Sequence, residues 1–289
     1  MKKLVKWFMI AAVLMVVIGM GLFIGGIMSV GGVAAAQAAL GGYQFYIDED
    51  GLNIGLENGK YDFTHHGAGT ETTFDTKEVR SLDMEIGAAQ VEIVANDSAK
   101  EISIDTDGRY DIYVKDCVLH VEAKRNLDDH RMRLEIPANA VFESVEISAG
   151  ACELNIQYIE TKEFDVEVGA GQVKIEDLTA DEAEFEIGAG EAIVDYGNVQ
   201  KCNVNVGMGN FEYNGVISKH GDIKCGMGNA ELYLKGSEED YNYEIDCAAG
   251  NVTIGDESFG GLGANQIINH HADADMDIEC SMGNVTVGF

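Results

Sequence analysis

The chain has 289 residues, 50 of them acidic and 19 basic, with a formal net charge of −31 at pH 7 and a hydrophobic fraction of 46%. So acidic a protein repels nucleic acid and anionic lipid headgroups, and its ionic partners are cations or basic surfaces. The apolar fraction excludes general disorder, while one proline beside 35 glycines leaves turns to glycine and lets strands run uninterrupted.

Lys2, Lys3 and Lys6 precede an apolar run from Trp7 to Met28 that carries no charge. Roughly 20 apolar residues cross a bilayer core of about 30 Å, so the run predicts one transmembrane helix over 7–28 behind a cytoplasmic flank, 1–6. No Lys or Arg follows until Lys60, which puts the rest of the chain outside a cell membrane crossed once. A cleaved signal peptide is the alternative, with Ala36-Gln37-Ala38 as its small-residue site. The length of the apolar run favours a retained anchor. Gly21 and Gly25 form a GxxxG pair, an inexpensive match in a glycine-rich span. Without the three cytoplasmic lysines, 16 basic residues face 50 acidic ones outside, a net of −34. Residues 29–42 are small and uncharged and read as a flexible stalk, and 43–79 as an irregular N-terminal cap.

From residue 80 to 289 one phrase recurs. Its copies are LDMEIGAAQVEI (82–93), SVEISAGACELNI (144–156), FDVEVGAGQVKI (164–175), AEFEIGAGEAIV (183–194), CNVNVGMGNFEY (202–213), GDIKCGMGNAEL (221–232), NYEIDCAAGNVTI (242–254) and MDIECSMGNVTV (276–287). Aligned on Ala89, Gly150, Gly171, Gly190, Gly209, Gly228, Gly250 and Gly283, they step by 61, 21, 19, 19, 19, 22 and 33 residues. The first step predicts degenerate copies within 100–140. The last holds an insertion at 259–275.

Each copy alternates apolar and polar residues, meets glycine, and alternates again. Period two signals strands, and a fixed interval signals stacking of each copy on its predecessor about 4.8 Å away. The expected fold is all-β: a single-stranded parallel β-solenoid (β-helix) of roughly 19–22-residue coils. Ile86, Ile147, Val168, Ile187, Val206, Cys225, Cys247 and Cys280 form an inward column in this alignment, and the glycines mark a corner that needs φ > 0 or has no room for a Cβ. Asn210, Asn229, Asn251 and Asn284 follow the corner and are expected to form an amide ladder.

The six cysteines fall on apolar positions. Cys152 takes the place of Val173 and Cys202 that of Phe164, so they read as small buried hydrophobes, with one disulfide between coils as the alternative. No CxxC spacing favours zinc, and adjacent histidines at 65–66 and 270–271 point opposite ways on a strand. Two outward columns are acidic in six of eight places each. One runs through Glu85, Glu146, Glu167 and Glu186, the other through Asp83, Asp165 and Glu184. Such columns are either solubilising charge or a binding site for weakly held Ca²⁺ or Mg²⁺. The strongest metal candidates are Asp165, Glu167, Glu184 and Glu186, acidic in both columns of consecutive copies. No other cofactor is indicated. No GxSxG, HExxH or P-loop occurs, so no catalytic residue is assigned.

The phrases VEVGAGQVKI, FEIGAGEAIV and VNVGMGNFEY behind a lysine-flanked anchor resemble the β-strand-repeat "putative adhesin" proteins of Gram-positive bacteria, over roughly residues 80–289. The resemblance implies a cell-surface β-solenoid whose relatives are often linked to envelope-stress systems, and it supplies no catalytic residues. Three functions follow as expectations. The first is a tethered, non-catalytic adhesin-like module for a cell-wall polymer, a matrix component or an envelope protein. The second is an envelope-stress accessory signalling through membrane partners. A calcium-dependent polysaccharide lyase is third, and it needs a basic residue beside the acids. All five arginines lie in the first half of the chain, and only Lys224 interrupts an acid column.

Overall fold

The computed structural model describes residues 43–48, 51–56, 70–106, 110–123, 130–260 and 263–289. The expected membrane helix, the stalk and His65-His66 lie outside these residues. Among the described residues no helix is long and apolar enough to cross a membrane, and the helical content is one 3-10 turn, Glu238–Asp240. The chain divides into two units, Met1–His65 and His66–Phe289. In the first, β1 (Tyr43–Asp48) pairs antiparallel with β2 (Gly51–Leu56). Strands β1, β2 and β3 (Thr70–Asp75) all fall within the stretch expected to be an irregular cap.

In the second unit each copy of the phrase makes one rung of two short strands around a corner. The rungs are β4 (Ser81–Ile86) with β5 (Ala89–Asn96), β10 (Phe142–Ala149) with β11 (Glu153–Ile156), and β12 (Ile159–Val168) with β13 (Gln172–Ile175). Then β14 (Leu178–Ile187), β15 (Glu191–Val206), β16 (Asn210–Cys225) and β17 (Asn229–Leu234) follow, the middle two long enough to serve two successive rungs. Pairing between these rungs is parallel, and Val168, Ile187, Val206 and Cys225 stand in register at 19-residue steps. Alternate side chains are buried along the strands of these rungs, so inward columns such as Ile156–Ile175–Val194–Tyr213–Leu232 close a continuous core. Large residues meet small ones across rungs. Phe164 lies on Ala183, and Phe211 lies between Ala192 and Ala230.

The chain order and the spatial order part company at both ends. Strands β6 (Glu101–Thr106) and β7 (Tyr110–Lys115) lead away, and β8 (Val118–Ala123) with β9 (His130–Pro137) makes a rung on the far side of β4 and β5. The chain then returns to lay β10 and β11 on the opposite side of that first rung. At the other end β18 (Tyr241–Cys247) and β19 (Asn251–Ile254) stand one rung away from β16 and β17. The last copy, β22 (Ala274–Cys280) with β23 (Asn284–Gly288), inserts between them. The insertion at 259–275 supplies part of a cap: β20 (Glu257–Gly260) pairs antiparallel with β19, and β21 (Ala264–Ile268) with β18. At the first end β7 covers β8 and β6 covers β9, again antiparallel. An outermost parallel rung would expose an unpaired edge, and the antiparallel strands cover it.

Three expectations are therefore corrected. The sheet is mixed, a solenoid-like stack with antiparallel ends rather than purely parallel. The stretch 100–140 holds one displaced rung, and its EISIDT segment is an antiparallel cover strand. The copy 144–156 sits two residues from its expected register: Ala149, not Ile147, pairs with Val168, and Leu154, not Cys152, pairs with Val173. A two-residue slip preserves which side faces the core, and Ile147 remains buried against Val166.

The glycine column is a matter of space. A Cβ on Gly171, Gly190, Gly209, Gly228, Gly283 or Gly250 would overlap the backbone carbonyl of the neighbouring rung, and none of them has positive φ. Of the two reasons the sequence allowed for a corner glycine, close backbone approach is the one that applies.

Candidate binding face

The strands before the corner present the acid columns. In the observed register Asp83, Glu146, Asp165 and Glu184 occupy four consecutive rungs, followed by Asn203, Asp222, Asp277 and Glu244. The parallel column reads Glu85, Ser148, Glu167, Glu186, Asn205, Lys224, Glu279 and Asp246. The expected candidates are thus brought together as two lateral pairs, Asp165 with Glu184 and Glu167 with Glu186. Glu146 belongs beside Asp165, where sequence alignment had set it beside Glu167. The slip in the 144–156 copy hid this unbroken run of four carboxylates.

Neighbours in such a run stand about 4.8 Å apart, where like charges repel even in water. Asp165, in the middle, registers the crowding. Its side chain is exposed, yet partial withdrawal from water on the packed sheet face pushes its pKa up to about 6. The charges of Glu184, Glu146, Glu186 and Glu167 add to that effect.

Basic side chains meet this face at three places. His120 Nδ1 lies 2.8 Å from Asp83 Oδ2, and the His120 ring stacks on Tyr113 at 4.8 Å between centroids. Tyr113 in turn donates its hydroxyl to Glu122 Oε1 at 2.6 Å. Lys224 pairs with Asp222, and Lys201 Nζ lies 3.6 Å from Glu182. The His120 end was missed in the sequence, although LHVEAKR alternates as a strand should. Among the described residues no three His, Cys, Asp or Glu side chains converge as a ready metal cage.

The face beyond the corner is different in kind. Its first outward column reads Gln90, Glu153, Gln172, Glu191, Asn210, Asn229, Asn284 and Asn251. Gln90 donates to Glu153 at 3.4 Å and Gln172 to Glu191 at 2.5 Å. Asn229 donates to Asn210 at 3.2 Å and Asn284 to Asn229 at 2.9 Å. The expected amide ladder is present in the order 210–229–284. Asn251 leaves it, donating to Thr253 and accepting from Ser258. Of the second histidine pair, His270 is held by the backbone, its Nδ1 2.8 Å from the Tyr241 carbonyl, and His271 adopts φ 59° in the return loop. The Asn242 side chain clips that loop, donating to Ala272 O and Asp275 and accepting from the His270 and Ala272 N–H groups.

All six cysteines are free thiols, five of them buried. Cys280 stands in register between Cys225 and Cys247, so these three do occupy one inward column, in a different order from the chain's. The Sγ atoms of Cys225 and Cys280 fill the space that a Val or Ile branch fills against the corner glycine in other rungs, and each donates to a backbone carbonyl at 3.1 Å. Burial pushes the Cys152 and Cys202 thiols up to about 12.

A family model described as Toastrack DUF4097 matches residues 78–282. No curated protein matches the chain. Among solved structures it is similar to a "putative adhesin" from Bacteroides fragilis, with TM-score 0.43 and 12% identity over 77% of this chain and 98% of that one. A "putative adhesin" from Parabacteroides merdae gives TM-score 0.41 and 16% identity over 76% and 96%. A "putative lipid binding protein" from Parabacteroides distasonis gives 0.45 and 12% over 76% and 97%.

Proposed function

This chain belongs to the Toastrack DUF4097 family, and on that footing we infer that it is a membrane-tethered surface-binding module, not an enzyme. The repeat unit is held outside the cell by the apolar segment at 7–28, and its acidic face engages a basic surface on a wall or envelope component. The observation that carries this reading is the run Asp83–Glu146–Asp165–Glu184 beside the pair Glu167–Glu186. Carboxylates repeated at one rung spacing suit a partner with regularly placed positive groups, and charge complementarity supplies on-rate and selectivity at such a face. Divalent cations are weakly held counter-ions at Asp165, Glu167, Glu184 and Glu186. Among the described residues no three such side chains converge on one ion, so affinity lies on the order of 10⁻⁴–10⁻³ M.

The full-length chain in detergent, mixed with envelopes from cells that lack it, is expected to cosediment with them. Failure to do so overturns the binding reading. The counter-ion reading has its own test: millimolar Ca²⁺ raises the melting temperature above that in NaCl of matched ionic strength, by mass action. Equal stabilisation by the two salts reduces the columns to screened surface charge.

A further inference from the structure

The phrase Gly-Met-Gly-Asn at 207–210 and 226–229, with its variant Ser281-Met282-Gly283-Asn284, has one part that the corner does not explain. The glycine is needed for close stacking, but the residue before it is not constrained by the turn: Ala170, Ala189 and Ala249 hold that place in other rungs. In three adjacent rungs it is methionine instead. Met227 N–H donates to Gly207 O and Met282 N–H to Gly226 O, both at 2.8 Å, which stacks Met208, Met227 and Met282 in one file. Met208 is half-buried, while Met227 is 43% and Met282 61% exposed. The strip around them is uncharged, flanked by Gly207, Gly226 and Ser281 on one side and by the asparagine ladder on the other.

We propose that Met208, Met227 and Met282 form a binding site for a soft monovalent d¹⁰ cation, Cu(I) or Ag(I). Thioether sulfur is a neutral, polarisable donor that selects such ions, whereas Ca²⁺ and Mg²⁺ are held by oxygen ligands and not by sulfur. Consecutive backbones lie about 4.8 Å apart, and methionine has three rotatable side-chain bonds. The outer two side chains can therefore lean toward Met227 and give three sulfurs to one ion. The strongly acidic chain concentrates cations near its surface, and the residues directly flanking the three methionines are uncharged. Thioethers do not titrate, so binding is independent of pH across the range where histidine or carboxylate ligands lose metal.

The test uses the full-length chain with Cys117→Ser, which removes the half-buried thiol, labelled with [methyl-¹³C]methionine and titrated with Ag(I). Of the 11 methionine methyl resonances, those of Met208, Met227 and Met282 move together and saturate at one ion per chain, equally at pH 5 and pH 7. Met227→Leu, close in size and at an exposed position, weakens binding about tenfold or more. Competition with a chromophoric chelator gives the same ranking for Cu(I). The proposal is overturned if those three methyls stay unmoved. It is equally overturned if Met227→Leu binds Ag(I) as tightly as the parent, which would place the ion on the buried thiols.

Discussion

Met276 packs its sulfur against the bare Cα of Gly221, in the space a Cβ would occupy. Gly221 belongs to the sixth consecutive parallel rung counted from β4, and Met276 to the late copy that inserts beside it, so this contact seats the inserted rung. Gly221→Ala should cost about 1–3 kcal/mol by overpacking, read as a lower urea midpoint with an unchanged m-value. A neutral substitution would mean that the Met276 thioether swings clear of Gly221 at no cost and does not seat the rung.

The inward and outward columns differ sharply in tolerance. Val206, buried between Ile187 and Cys225, should not accept Asp: an unpaired carboxylate there is severely destabilising. Asn205→Asp, one residue away and exposed, should change stability by about 0.5 kcal/mol or less. Equal sensitivity in thermal melts would invert the face assignment.

The run of four acids predicts a pH dependence with a definite sign. Asp165 has a folded-state pKa near 6 against an ordinary 3.8, so between those values the native state binds more protons than the unfolded chain. Its contribution to stability therefore improves as pH falls from 7 through 6 toward 4. Asp165→Asn should stabilise the protein at pH 7, by about 0.5 kcal/mol or less for so exposed a group, and the gain should vanish near pH 4. A variant that is less stable than the parent at pH 7 would show that the ionised carboxylate is partnered.

Thiol reactivity separates the cysteines. Cys117 lies at the β7–β8 turn with φ 66°, half-buried, with Arg80 Nη2 3.5 Å from its Sγ. The other five are buried, and Cys280 is pushed up to about 11, chiefly by burial. An aromatic disulfide reagent should titrate one thiol rapidly in the native protein and six in denaturant. Rapid loss of two or more native thiols would contradict the closed core.

Much of this architecture is legible in the sequence because strand periodicity is two and six of the eight copies leave no room for a Cβ at the corner. Even where the 144–156 copy was misplaced by two residues, Ile147 and Leu154 kept their inward side. The order of the rungs is not legible. Cys280 fits beside Cys225 as well as Cys247 does, because the copies carrying Gly228, Gly250 and Gly283 offer one another the same apolar columns and the same corner glycine. Only the long steps of 61 and 33 residues marked where the chain leaves and returns. The acid face was legible as composition, but the unbroken run through Glu146 depended on the register of a single copy.

If the acidic columns are the surface that binds, their charge must carry the affinity. Envelope binding by the full-length chain should weaken as NaCl is raised, and Asp165→Asn, Glu167→Gln, Glu184→Gln and Glu186→Gln together should reduce it about tenfold or more without loss of fold. Binding by this four-fold variant equal to the parent's, with the same salt dependence, would contradict the assignment of the face.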